Sequence, residues 1–148
     1  MAGEMRALSV RQPWAWAIAC AGKTAENRTR STRYRGLLAI HASKTIYARD
    51  LDDPRILEAV AGKDFEIDEG PSSLGAVVAV AELTDCHDAT YAEGCSCSPW
   101  ANPRSWHWLL KDARPLADPV PCKGALGLWR LPDEVEKAVR AQLEDGQP

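Results

Sequence analysis

Two nearly unbroken apolar runs constrain the fold of this chain more than any other feature: GLLAIHA at residues 36–42 and LGAVVAVAEL at residues 74–83. Both are short enough for strands and bounded by Gly or polar residues. The second shows no polar alternation over its length, so a strand built from it must be covered on both faces. A fold for this chain therefore has to supply an interior deep enough for at least one strand to lie between two apolar layers.

The other elements are shorter. Residues 7–10 (ALSV) read as a first strand. Pro13 suits the first turn of a helix, and PWAWAIACAG reads as that helix, stopped at Gly22. Trp14 and Trp16 would lie about 200° apart on it, so both cannot face the core. Residues 23–28 leave the helix as an extended segment. Residues 49–62 place Ile56, Leu57 and Val60 on one helical face. Residues 63–73 read as a polar loop and residues 84–104 as a long surface loop. WHWLL (106–110) and GALGLWRL (124–131) read as strands, with Trp106 and Trp108 facing the core and Gly127 at a bulge. Pro132 opens a C-terminal helix to about residue 144, with Asp133, Glu134 and Glu136 at its positive end and EDGQP fraying beyond it. No βαβ alternation repeats. The fold class is α+β: a small mixed β-barrel of five to six strands with about three peripheral helices, in one domain over residues 1–148.

Charge is divided unevenly. Between Met5 and Arg49 stand nine Lys or Arg against Glu26 alone, a net +8, while the whole chain is −3, so the remainder carries −11. Such a split aims one surface at an anion. No run of about 18 apolar residues offers a membrane helix. The N-terminus lacks the apolar core of a secretory signal. The five cysteines show no disulfide spacing, so reduced thiols and a cytoplasmic location are expected.

The segments SVRQPWAWAI, GKTAENR and YRGLLAIHASK resemble an activating-signal-cointegrator homology (ASCH) domain. The likeness continues through LGAVVAVAELTDC, WHWLL and PVPCKGALGLW to the closing LP, over about residues 7–132. The resemblance implies a barrel of the PUA-like superfamily that binds RNA or other nucleic acid in a cleft beside it. One similar bacterial branch hydrolyses the amide of N4-acetylcytidine with a Lys and a Thr beside the G-K motif. By position that Lys is Lys23, but Glu26 stands where the Thr belongs, and Thr24 is two residues away. Binding is therefore favoured over hydrolysis.

Lys23, Glu26 and Arg28 are the central constellation. In an extended segment Glu26 and Arg28 share a face, and a turn at Ala25 would bring Lys23 to them. Lys and Arg would meet phosphate, and Glu would accept from a base amino group; the plain alternative is a surface ion-pair network of little energetic weight. Trp14 either stacks on a base or packs against the barrel. Arg30, Arg33 and Arg35 either track a phosphate backbone or form a solvated connection. His41, at a strand end, reads first as a structural histidine. The expected nucleic-acid surface comprises Gln12, Trp14, Lys23, Glu26, Arg28, Arg35 and Lys44, with Lys23 and Glu26 as the catalytic pair if the protein is an enzyme, a nucleoside amidohydrolase or a nuclease. A protein-interaction module is the third reading. Cys86, His87, Cys95 and Cys97 lack the C-x-x-C spacing of a zinc knuckle, so no metal and no cofactor are expected. The expected partner is nucleic acid, RNA above DNA, with no membrane.

Overall fold

The computed structural model describes residues 3–63 and 74–145. Its elements in chain order are β1 (Met5–Gln12), α1 (Trp14–Cys20), β2 (Ala25–Arg28), β3 (Gly36–Ile46), α2 (Ala48–Leu51), α3 (Pro54–Val60), β4 (Ala76–Ala89), β5 (Ser105–Pro121), β6 (Leu128–Trp129) and α4 (Asp133–Asp145). The strands form one mixed sheet in the order β2-β5-β4-β3-β1-β6. Among the described residues only β1 and β3 run parallel; the other pairs are antiparallel. The class is α+β, as the sequence indicates.

The apolar runs become β3 and β4, next to each other in the middle of the sheet. Leu38, Ile40 and Ala42 of β3 join Val78, Ala81 and Leu83 of β4 in a core that includes Ala15 and Ile18 of α1. Ala39, Val77 and Val80 belong instead to a second core, with Val139 and Leu143 of α4. β1 divides the same way: Leu8 and Val10 go to the first core, Met5 and Ala7 to the second. Burial on both faces is thus met by α1 under the curled sheet and α4 behind it. A third, smaller core holds Trp16, Ile56 and Trp100 together, so α1 also carries α3.

Several elements differ from their sequence reading. The sheet curls but does not close: β2 and β6, of four and two residues, are its edges. In place of a backbone ladder, the Arg28 guanidinium on β2 donates to the Ser9 carbonyl on β1 across the seam at 2.8 Å. The expected helix over 49–62 is two helices, α2 and α3. Pro54 disfavours helical geometry in the residue before it and lacks an N–H, and Asp53 caps α3 by accepting from Arg55 N at 2.9 Å. With α1 and α4 this makes four helices among the described residues, in place of about three. The long loop begins at Thr90 rather than residue 84, because β4 goes on pairing with β5 as far as Ala89↔Ser105. That extension (TDCHDA) is half solvated, so no apolar run betrays it. β5 likewise runs on through Pro115, Pro119 and Pro121. β2 pairs only with Trp106–Leu109, so beyond that point one side of β5 is a free edge where proline removes no ladder bond. Only Leu128–Trp129 of the run at 124–131 form a strand, preceded by Gly127 at φ +66°. α4 extends to Asp145, so Glu144 and Asp145 are helical rather than frayed. The loop expected over residues 63–73 lies, but for Lys63, outside the described residues.

Candidate nucleic-acid interface

The open seam is a cleft of about 370 Å³. One wall is β1 at Ser9–Arg11, the opposite wall is β2 at Glu26–Arg28, and Trp14, Asp50, Arg55 and Asn102 complete the rim. Its existence follows from the topology. A closed barrel would fill this gap with backbone hydrogen bonds, whereas the four-residue β2 leaves it to side chains.

At its floor, Lys23, Glu26 and Arg28 converge. Gly22 takes φ +71°, a conformation that favours glycine, and turns the chain out of α1. Lys23 N then bonds Ala17 O at 3.1 Å, and β2 starts at Ala25. Glu26 and Arg28 project to one face of β2, the face of Trp106 and Trp108 opposite them. Lys23 Nζ lies 3.3 Å from Glu26 Oε1 and also donates to the Ala25 carbonyl, while Arg28 Nε donates to Glu26 Oε2 at 2.9 Å. The Lys23 side chain is only 3% exposed and that of Glu26 9%, against 29% for Arg28. This is a buried ion triad, not a surface network. Burial pushes the Glu26 carboxyl up, but the charges and hydrogen bonds of Lys23 and Arg28 outweigh it and hold the group below the usual carboxylate range. Burial lowers the Lys23 ammonium by more than Glu26 restores, with Arg55 and Arg28 adding to the depression.

Arg55 is the functional candidate that sequence reasoning missed. It lies beyond the basic segment, but as the second residue of α3 it reaches the cleft. Its guanidinium is 5.5 Å from the ring centroids of both Trp14 and Trp100, and it pairs with Asp53 at 2.9 Å. The cap motif Asp53-Pro54-Arg55 was the available signal, since it fixes the helix start and hence the arginine's direction. The cleft lining carries Arg11, Lys23, Arg28 and Arg55 against Glu26 and Asp50, a net +2.

Four of the seven residues expected on the nucleic-acid surface line this cleft: Trp14, Lys23, Glu26 and Arg28. Gln12 does not. It is fully buried, and its Oε1 accepts from Trp16 N at 2.8 Å in the first turn of α1. Arg35 is exposed, donates to the carbonyls of Thr32 and Tyr34, and lies 3.7 Å from Asp85. Lys44 is exposed on β3, where its stem runs beside Gly75. Arg30, Arg33 and Arg35 sit in an irregular connection rather than a strand. Thr24 donates to Ser98 Oγ at 2.8 Å and is not among the residues lining the cleft. His41 is structural: Nδ1 is 3.1 Å from Ser9 Oγ, and Nε2 is 2.7 Å from the Cys122 carbonyl. All five cysteines are free. No helix among the described residues is long and apolar enough to cross a membrane.

The unclosed six-stranded mixed sheet with its flanking helices is an α+β architecture consistent with the PUA-like fold. Residues 8–119 match the ASCH domain family, and the chain belongs to it. Domains of this class often bind RNA. The fold is shared with the ASCH protein of Zymomonas mobilis, whose crystal structure matches at 15% identity and TM-score 0.55 over 93% of this chain and 94% of that one. A point variant of the same protein matches at 14% identity and TM-score 0.56, over 94% and 98%. No curated protein matches the chain in sequence.

Proposed function

We propose that this protein binds single-stranded RNA through the seam cleft. The observation that carries the reading is the net positive cleft in which Arg28 and Arg55 are held rigidly, one by Glu26 and the Ser9 carbonyl, the other by Asp53 and two tryptophans. Cations fixed in advance lose little side-chain freedom on meeting phosphate. Glu26 acts here as an anchor: one oxygen takes Lys23 and the other takes Arg28, leaving the outer edge of Arg28 for the ligand. Trp14 and Asn102 offer stacking and polar contacts at the rim.

A second reading, hydrolysis of an N-acylated nucleoside, draws on one observation. Lys23 is a buried amine of depressed basicity beside a carboxylate, an arrangement found at catalytic sites. Against it stands the hydroxyl: Thr24 is bonded to Ser98 rather than placed in the cleft.

One set of assays separates the readings. Affinity for a short single-stranded RNA should fall with salt at a log–log slope of about −2 to −3, as three or four phosphate contacts would give. Arg55→Gln should weaken binding and flatten that slope by about 0.7. Absence of binding at low salt, or salt-independent binding, would sink the proposal. N4-acetylcytidine should not be turned over by the unaltered protein; turnover lost in Lys23→Ala would replace binding with catalysis.

A further inference from the structure

His87 and His107 occupy the same rung of the β4–β5 ladder, on the face opposite Cys86 and Trp108. Their rings are 5.0 Å apart, and Nε2 of His87 lies 3.0 Å from Nδ1 of His107. The loop after Ala89 folds back over this rung, its neck closed by Arg104 N bonding Ala92 O at 3.0 Å. It brings Cys95 Sγ to 3.6 Å from His87 Nε2 and Cys97 Sγ to 3.4 Å from His107 Nδ1. All four atoms lie within 4.8 Å of one another.

The three shortest of these spacings match edges of a tetrahedron around a metal ion. With zinc–sulfur bonds near 2.3 Å and zinc–nitrogen bonds of 2.0–2.1 Å, sulfur–nitrogen edges come to about 3.5–3.6 Å and the nitrogen–nitrogen edge to about 3.3–3.4 Å. The two sulfur–nitrogen separations agree closely, and the nitrogen pair needs only a small outward shift. The surroundings fit as well. His107 is fully buried, and its other nitrogen, Nε2, lies 2.6 Å from the Asn102 carbonyl. That contact places the proton on Nε2 and leaves the Nδ1 lone pair facing the cluster, as metal-ligating histidines require. The Cys97 backbone N–H donates to Cys95 Sγ at 3.4 Å.

We propose that His87, Cys95, Cys97 and His107 bind one zinc ion in a structural site. Two thiolates and two imidazoles suit zinc over magnesium or calcium and balance its charge, and four protein ligands leave no position for substrate. The expectation of free cysteines rested on Cys86 and on spacing along the chain. Cys86 packs instead against the main core, and the fourth ligand comes from the neighbouring strand. The ion has a definite task. The loop it fastens carries Ser98, Trp100 and Asn102. Ser98 accepts from Thr24, the Trp100 carbonyl accepts from Asn27 Nδ2 at 2.9 Å, and Asn102 N donates to Asn27 Oδ1 at 2.8 Å. Zinc would therefore hold one wall of the seam cleft, whatever that cleft binds.

The test uses the full chain, purified without chelator from medium containing zinc. Elemental analysis should find one zinc per chain, and chelation should lower the melting temperature. After exchange, cobalt(II) should give the visible bands of a tetrahedral site with thiolate-to-metal charge transfer in the near ultraviolet. Cys95→Ser/Cys97→Ser should abolish both signals, and Cys86→Ser should keep them. Protein that stays metal-free in excess zinc, cobalt bound without the thiolate band, or full metal content in the double variant would each overturn the site. Should the double variant not fold, the zinc content and cobalt spectrum of the unaltered chain decide.

Discussion

Glu26 is the residue on which the site turns. It is the one acid of the basic segment, and its two oxygens join Lys23 to Arg28 at the base of the cleft. Removing one member of a buried ion cluster costs more than the intact cluster contributes, because the others stay buried without compensation. Glu26→Gln should therefore lower stability at neutral pH by about 3 kcal/mol, measured by urea unfolding. The pH dependence has a definite sign. The folded-state pKa of Glu26 lies below its unfolded value, so between the two the unfolded chain binds more protons. The stabilisation is complete above the unfolded value near 4.3 and is lost as pH falls through the folded value. The gap between wild type and Glu26→Gln should narrow over that acid range. A gap that stays constant down to full acid unfolding would show that Glu26 is not the titrating group. That Lys23, Glu26 and Arg28 belong together was legible, since their spacing allows convergence. Their burial was not, because it depends on β1 and α1 closing over them.

At the scale of elements, α1 shows how a motif can be recognised and its contacts still depend on the fold. QPWA helps identify the family, yet Gln12 and Trp14 play separate parts. Gln12 lies inside, bonded to the Trp16 amide, while Trp14 stands at the cleft rim. Gln12→Ala would leave that buried N–H without its side-chain acceptor. It should cost about 1–2 kcal/mol in chemical denaturation, with RNA affinity per folded molecule unchanged. A loss of affinity without a loss of stability would return Gln12 to the binding surface. The β4–β5 hairpin gives the complementary lesson. Residues 84–89 of β4 have no apolar pattern and read as loop, yet their register against β5 creates the His87–His107 rung.

For the whole molecule, stability should be graded from the middle of the sheet outward. β3 and β4 are packed on both faces, whereas β2 and β6 are short edges with few ladder bonds. Native-state hydrogen exchange should find β3 and β4 amides opening only with global unfolding, and β2 amides opening at clearly lower free energy. Equal protection of β2 would mean that the seam is held as firmly as the core. The basic segment, the two central strands, the helix stop at Gly22 and the family itself follow from the order of residues. Each rests on local chemistry: apolar periodicity, backbone freedom or charge density over a few residues. The open seam, the place of Arg55 in the cleft, the inward turn of Gln12 and the grouping of His87 and His107 with Cys95 and Cys97 required the tertiary structure. They arise from strand register and from the packing of segments distant in sequence, which no local pattern of side chains encodes.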